Sequence, residues 1–345
     1  MAQEYPAIDN NDVRFSALVK RWPIGDVVAC EPLHHKGTVF HLTTDRGARF
    51  ILKDIVKDIG GHRRTERLMA QYRVLLHLHA AQVPVAVPLL AQDGRPFVQD
   101  EDKIYTLTPE LASGGDTTDM GMERVYHNMG LAIGRLHTAL ATYPEEIPSW
   151  RMDLPQRILG EAVPRINMHV AGPQRDAFNR VMIPLGDAFA DALADLPVQP
   201  IHGDCHGGNI LLHNGTVSGF IDLDHLPVGP KPYDLGSLLA DRVKWQMSHP
   251  ETLIQWLEYF DHLIVGYEQE NALSAREKDA IWWTMLAVQV LMTEWFSERH
   301  DDTNVALNLA AFHWIHSHKE EIMSRVGRGD GGPRSDTGGV KEWST

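Results

Sequence analysis

No part of this chain restricts its fold more than the stretch from Ile201 to Asp224. It reads Ile201-His-Gly-Asp-Cys-His-Gly-Gly-Asn-Ile-Leu-Leu and, after a short polar segment, Ser218-Gly-Phe-Ile-Asp-Leu-Asp. Asp204, His206 and Asn209 crowd polar side chains together, and the apolar Ile210-Leu-Leu follows at once. Gly207 and Gly208 permit the tight backbone such a loop requires. The apolar run reads as a buried strand, and Asn214-Gly215 is a hairpin signal. Its partner, Val217–Leu223, leads into Asp222 and Asp224. In an extended chain residues i and i+2 share a face, so the two carboxylates are expected to project together. Carboxylates beside an amide oxygen are hard ligands, of the kind Mg²⁺ takes when it also holds phosphates. Asp204 is then left to orient or deprotonate a nucleophile. The grouping suits phosphoryl transfer.

Composition limits the surroundings of this block. The 345 residues are 43% hydrophobic with 28 Gly, 20 Pro and 2 Cys, which excludes a disordered chain, a collagen repeat and a disulfide-stapled scaffold. The formal charge of -14 provides no global basic field, so nucleic acid is not expected as a partner. Cys30 and Cys205 are too sparse for a metal cluster and fit a reducing compartment. The N-terminus lacks the pattern of a secretory signal. No run approaches the roughly 18 apolar residues of a membrane span. A cytoplasmic protein with no membrane partner is the expectation. The 19 His are scattered without a helical zinc pattern.

Val27–Cys30, Thr38–Thr43 and Ala48–Lys53 read as short strands, with Asp45-Arg46-Gly47 as a turn. Arg63–His79 has apolar residues at helical spacing, and Pro84 and Pro88 follow it as breakers. Val98–Gln99 and Ile104–Leu107 suggest a further strand pair. After the polar connection from Ser113, Met122–Thr142 is an amphipathic helix. From there to Arg325 the chain reads as mostly helical, interrupted by the block at Pro200–Asp224. The expected division is a strand-rich lobe over residues 1–107, a larger helical lobe over 108–326, and a disordered glycine-rich tail over 327–345. A cleft between two lobes is a favoured ligand site.

The central block resembles the catalytic and metal loops of the aminoglycoside phosphotransferase and choline kinase-like superfamily, relatives of the protein kinases. That family's pattern is H-G-D-x-H-x-x-N, followed about a dozen residues later by I-D. Here it stands as His202-Gly203-Asp204-Cys205-His206-Gly207-Gly208-Asn209 and then Ile221-Asp222. The resemblance implies an α+β, bilobal protein-kinase-like fold that uses ATP and Mg²⁺. It casts Asp204 as the catalytic residue, Asn209 and Asp222 as metal ligands, and His202 and His206 as loop anchors. Asp224 is either a second metal contact or a turn-capping carboxylate. Cys205 is read as packing, and Asp234, in Tyr233-Asp234-Leu235-Gly236, as a brace for the catalytic loop.

Other landmarks follow the same resemblance. Lys53 ends the strand Arg49-Phe-Ile-Leu-Lys, where such folds keep a phosphate-binding lysine. Gly37 and Thr38 fall in the phosphate-covering segment and would offer backbone donors. Gln71 stands where the family usually has the glutamate that pairs with this lysine. Either Gln71 bonds to Lys53, or the lysine is held by phosphate alone. Pro109, Glu110 and Leu111 occupy the hinge that meets the adenine edge. For the acceptor, Trp282, Trp283, Glu294 and Trp295 are candidates, the aromatic faces for stacking and the acid for an ammonium.

The implied activity is transfer of the ATP γ-phosphate to a hydroxyl of a small molecule, with an amino sugar, aminoglycoside or other antibiotic as acceptor. A homoserine- or choline-type metabolite kinase and a nucleotide-binding pseudokinase are the alternatives, in a monomer or homodimer. A protein kinase is not indicated, since D-F-G, A-P-E and the loop between them are missing.

Overall fold

The computed structural model describes residues 13–33, 38–55, 64–101, 103–115, 121–147, 149–247 and 253–327. Gly37, with His34, His35 and Lys36, lies outside the described residues, as does the tail from 328 onward.

Helix α1 (Val13–Val19) precedes strands β1 (Val27–Pro32), β2 (Val39–Thr44) and β3 (Arg49–Ile55), then helix α2 (Arg64–Ala80) and strands β4 (Val98–Asp100) and β5 (Lys103–Pro109). The strands form one antiparallel sheet in the order β1-β2-β3-β5-β4. Side chains alternate across it. Phe40, Leu42, Leu52 and Leu107 turn to one face and are sealed by Phe15, Leu18 and Trp22 of the first helical segment. That α1 helix was not expected from the sequence. Lys53, next to Leu52, therefore points to the other face, paired in register with Val39 on one side and Thr106 on the other. Helix α2 buries Val74, Leu75 and Leu78 in the core of the helical lobe, not in the sheet's own core. The helix that follows the first three strands of the sheet is thus fixed to the opposite lobe.

The helical lobe starts with α3 (Met122–Ala141). A π-helical turn (Gln156–Ala162), α4 (Val163–His169) and α5 (Gly172–Leu193) follow, inserted before the central block. Strand β6 (Val198–Pro200) leads into the block and pairs with β9 (Val228–Pro230), while β7 (Ile210–His213) and β8 (Thr216–Phe220) make the hairpin. Then come α6 (Pro232–Gln246), α7 (Leu253–Trp256), α8 (Glu258–Glu268), α9 (Ala275–Ser297), α10 (Asp302–Ser317) and α11 (Lys319–Val326). Helix α9 opens with a capping box between Ser274 and Glu277. It is apolar around most of its circumference, as a central helix must be. Helices α3 and α8 come close enough that a Cβ on Gly130 would lie 2.0 Å from the Leu263 carbonyl oxygen. Among the described residues no helix is long and apolar enough to cross a membrane.

The hairpin partner is shorter than its apolar pattern suggested. Strand β8 stops at Phe220, and Asp222 takes a left-handed conformation at φ 59°. Asp222 and Asp224 therefore do not share a face by strand alternation. A tight turn, which aspartate tolerates better than a bulky residue, brings them together.

Candidate active site

A cavity of about 510 Å³ opens between the lower face of the sheet and the β7–β8 hairpin. Val39 and Ile51 line its roof, Leu211 and Phe220 its floor, and Pro109–Leu111 one end. Lys53, Gln71, Asp222 and Asp224 make the polar end. The lining thus divides into an apolar part and a polar, charged end, which is the usual division of a small-molecule pocket.

The backbone of the loop that begins at His202 is held by one buried carboxylate. Asp234, at the start of α6, accepts from His202 N at 2.8 Å, Gly203 N at 2.9 Å and His137 Nε2 at 2.9 Å. His137 receives the Tyr267 hydroxyl on Nδ1 at 2.8 Å. Burial alone would push the Asp234 carboxyl up, but His137, His202 and the Gly203 amide hold it below the usual carboxylate range. Gly203 sits at φ 79°, and a Cβ there would meet Pro227 Cδ at 2.4 Å, so only glycine fits this bend. His202 ties the two loops of the site together. Its Nδ1 accepts from Asp204 N at 3.3 Å and its Nε2 donates to Ile221 O at 3.0 Å, beside Asp222. Cys205 is fully buried, and burial with nearby Asp234 and Asp204 pushes its thiol well above the ordinary value. That environment suits packing, not nucleophilic attack.

The Asp204 carboxylate is half-exposed, and its Oδ2 accepts from Asn209 Nδ2 at 3.0 Å. The same amide nitrogen donates to Asp204 O at 2.9 Å, so the amide nitrogen is committed to Asp204 while Oδ1 of this buried side chain accepts no bond among the described residues. His206 accepts Gly208 N on Nδ1 at 3.0 Å and holds Nε2 at 3.8 Å from Asp204 Oδ2. Lys53 Nζ lies 2.5 Å from Asp222 Oδ1 and 2.7 Å from Asp224 Oδ2. Burial disfavours the ammonium, yet Asp224 and Asp222 outweigh it and raise the Lys53 pKa. Asp224 is lowered for the reciprocal reason, burial being overcome by Lys53 and the Gln71 bond.

Gln71 does not bond to Lys53, and the lysine is not left to phosphate alone. Its Nε2 donates to Asp224 Oδ1 at 2.8 Å and to Leu223 O at 3.3 Å. Thr38 lines the cavity, and its carbonyl accepts Asp54 N at 2.7 Å. The Glu110 carboxylate turns onto Arg49 at 2.6 Å and His41 at 3.5 Å, so it clamps the strands of the sheet. Leu111 packs on Gly219 of the hairpin, where a Cβ would come within 2.3 Å of Leu111 Cδ1.

The four acceptor candidates are not brought to one surface. Trp282 is 1% exposed and donates its indole N–H to Ile315 O at 2.9 Å. Trp283 is buried against Phe189. Both fill the helical core, which corrects the expectation that they stack on an acceptor. Glu294 is buried and already paired, receiving Arg157 Nη2 at 2.5 Å and Arg165 Nη1 at 2.9 Å, so it is no free site for an ammonium. Trp295 is at the surface with the Arg299 guanidinium 3.8 Å over its ring. The residues that sequence reasoning missed are His137, Tyr267, Arg157 and Arg165, and also Asp241, which accepts Gly207 N at 3.3 Å. They lie far from the motif in sequence, and no local spacing marks them.

Residues 33–272 match the phosphotransferase enzyme family. The chain belongs to that family and is a small-molecule kinase with a kinase-like α+β fold. It is 28% identical over 279 residues to a homoserine kinase of Neisseria meningitidis serogroup B, an alignment covering 79% of this chain and 84% of that protein. It is 27% identical over 202 residues to stress response kinase A of Salmonella paratyphi A, covering 56% of this chain but only 58% of that relative's length. Among solved structures, a microcompartment-associated aminopropanol kinase superposes with a TM-score of 0.68 at 14% identity, over 90% of this chain and 98% of that one. An amicoumacin kinase in complex with AMP-PNP and Ca²⁺ superposes with a TM-score of 0.60 at 19% identity, over 83% of this chain and 85% of that one.

Proposed function

We propose that this protein transfers the γ-phosphate of ATP to the hydroxyl of a small amino alcohol, with Asp204 as the base that orients and receives the hydroxyl proton. The observation that carries the reading is the meeting of Lys53 and Asp222 at the polar end of an apolar cavity, with Asn209 joined through its backbone carbonyl to Ile221 N, next to Asp222, and through its side-chain amide to Asp204. The purine would lie between Val39 and Phe220. Its edge would meet the Pro109 carbonyl and the Leu111 amide, since the Glu110 amide is committed to Arg49 O at 3.1 Å.

The residues fit a divalent cation. Asn209 Oδ1 accepts no bond among the described residues, and only one Asp222 oxygen is engaged by Lys53. Among the described residues no group of three or more His, Cys, Asp or Glu side chains could hold a metal unaided. Two protein oxygens completed by phosphate oxygens is the arrangement Mg²⁺ favours. When bound, Mg²⁺ would neutralise charge on the β- and γ-phosphates. Lys53 holds phosphate oxygens as a point charge. Asp204 keeps Oδ1 free for the acceptor hydroxyl while Asn209 fixes Oδ2. The hydroxyl proton passes to Asp204 as the oxygen attacks phosphorus in line and ADP leaves. We place this chemistry in the cytoplasm, where ATP is supplied.

A small amino alcohol is favoured over an aminoglycoside for two reasons. The homoserine kinase relative aligns over most of both chains. Glu294, the acid an amino-rich sugar was expected to use, is neutralised by two arginines. The test is ADP release from Mg-ATP with homoserine, aminopropanol, choline and kanamycin as acceptors. Turnover with kanamycin and none with the amino alcohols would sink the acceptor assignment. Asp204→Asn is expected to lose about 10²–10⁴ in kcat while binding ADP as the wild type does. Undiminished kcat would remove Asp204 from its role.

A further inference from the structure

We propose that Asp224, held by Gln71, is the permanent counter-ion of Lys53, and that it takes the place of the glutamate that helix α2 lacks. This rests on the phosphotransferase reading above. The two carboxylates that meet Lys53 are not equivalent. Both oxygens of Asp224 are engaged, Oδ2 with Lys53 at 2.7 Å and Oδ1 with Gln71 Nε2 at 2.8 Å. Asp222 uses only Oδ1, and its side chain is 51% exposed against 36% for Asp224. Asp222 is therefore the carboxylate free to turn toward a metal, and Asp224 the one that stays on the lysine. The metal ligands are then Asn209 and Asp222 without Asp224.

The identity of residue 71 follows from donor counting. Its terminal group faces two acceptors, Asp224 Oδ1 and Leu223 O. An amide NH₂ can donate to both, whereas an ionised glutamate has no proton for either. Glutamine at 71 and aspartate at 224 thus form one unit, with the negative charge moved from the helix to the turn after Asp222. The frame beneath the unit is rigid, because α2 is anchored in the helical lobe through Val74, Leu75 and Leu78. Lys53 comes from the sheet, so this contact also ties the sheet to the helical lobe across the nucleotide cavity. Asp224 acts through Lys53 and is a positioning residue.

The proposal makes restoring the family glutamate harmful. Gln71→Glu sets a carboxylate against Asp224 at hydrogen-bond distance, and like charges there repel. The experiment is a double-mutant cycle on the full chain with Gln71→Glu, Asp224→Asn and the pair together, and with Gln71→Met as a neutral control. The readouts are metal-free ADP affinity by calorimetry, kcat/KM with its dependence on Mg²⁺ concentration, and the urea midpoint. Each charge-changing single variant is expected to lose about tenfold or more in ADP affinity, which corresponds to one factor of ten per 1.4 kcal/mol. Gln71→Met is expected to lose less than Gln71→Glu. The double variant is expected to regain at least half of the logarithmic loss of Gln71→Glu, because one carboxylate and one amide again face each other. Additive losses in ADP affinity would overturn the proposal. So would an Asp224→Asn defect confined to a higher Mg²⁺ requirement, which would make Asp224 a metal ligand. If the wild type binds no nucleotide, the function reading fails by itself. The urea midpoints then decide the clasp, non-additive values upholding it and additive values overturning it.

Discussion

Replacing Asp234 by asparagine tests whether one buried carboxylate shapes the catalytic loop. The side chain is fully buried, accepting His202 N–H and His137 Nε2–H on Oδ2 and Gly203 N–H on Oδ1. Asparagine has the same outline but only one acceptor oxygen. With that oxygen in the Oδ2 position, its NH₂ group faces the Gly203 N–H and that bond is lost. A hydrogen bond to a charged group contributes about 2 kcal/mol. The two remaining bonds become neutral and drop to about half their strength, or about 1 kcal/mol each. The sum is roughly 4 kcal/mol. It stays below the stability of most domains, so the variant should fold. Urea unfolding should show this loss at neutral pH, and kcat should fall by about 10², the effect of a small misplacement of reacting groups. The pH dependence has a definite sign. The folded-state pKa of Asp234 is depressed, so its contribution is complete above the unfolded value of about 3.9 and disappears as pH falls through the lower folded value. The gap between wild type and variant should therefore be full at pH 7 and close in acid. An Asp234→Asn protein with the wild-type urea midpoint and kcat at pH 7 would refute the bracing argument.

Glu294→Gln removes the buried charge shared by Arg157 and Arg165, which are themselves partly exposed. Solvent moderates the effect, so a loss of about 1–3 kcal/mol is expected in urea unfolding; an unchanged midpoint would show that the cluster contributes nothing. The thiols should be silent in the folded state. Burial raises Cys30 to about 11 and Cys205 well above its ordinary value, so a disulfide reagent at pH 8 should titrate neither until the chain is unfolded, and then both. Fast reaction of one thiol in the native protein would contradict the packing assigned to Cys205 or Cys30.

Much of the site was legible because its residues are close in sequence. The run His202–Asn209 followed by Asp222 carries its chemistry in the order of its residue types. The apolar run Arg49-Phe-Ile-Leu-Lys marked Lys53 as the end of a strand, but the face it takes was set by the sheet register. Amphipathic spacing located α2 and α3 within a residue or so of their observed ends. The errors have a common cause. Trp282, Trp283 and Glu294 were assigned to an acceptor surface because aromatic and acidic residues suit one. Their positions were decided by which faces of α9 meet α10, α5 and the π-helical turn. Periodicity cannot rank the faces of a helix that is apolar nearly all round.

The sequence by itself determined the reaction class, the order of the lobes and the local machinery of the loop. These depend on residue identity and short spacing, which a linear chain displays directly. Tertiary structure alone decided how the charges are shared. Gln71, Lys53 and Asp224 are separated by up to 171 positions, yet they form one bonded unit. Asp234 reaches back 97 positions to His137, and Glu294 reaches 137 to Arg157. Electrostatic and hydrogen-bond energies fall off over a few ångströms of space, a distance that only the folded chain defines.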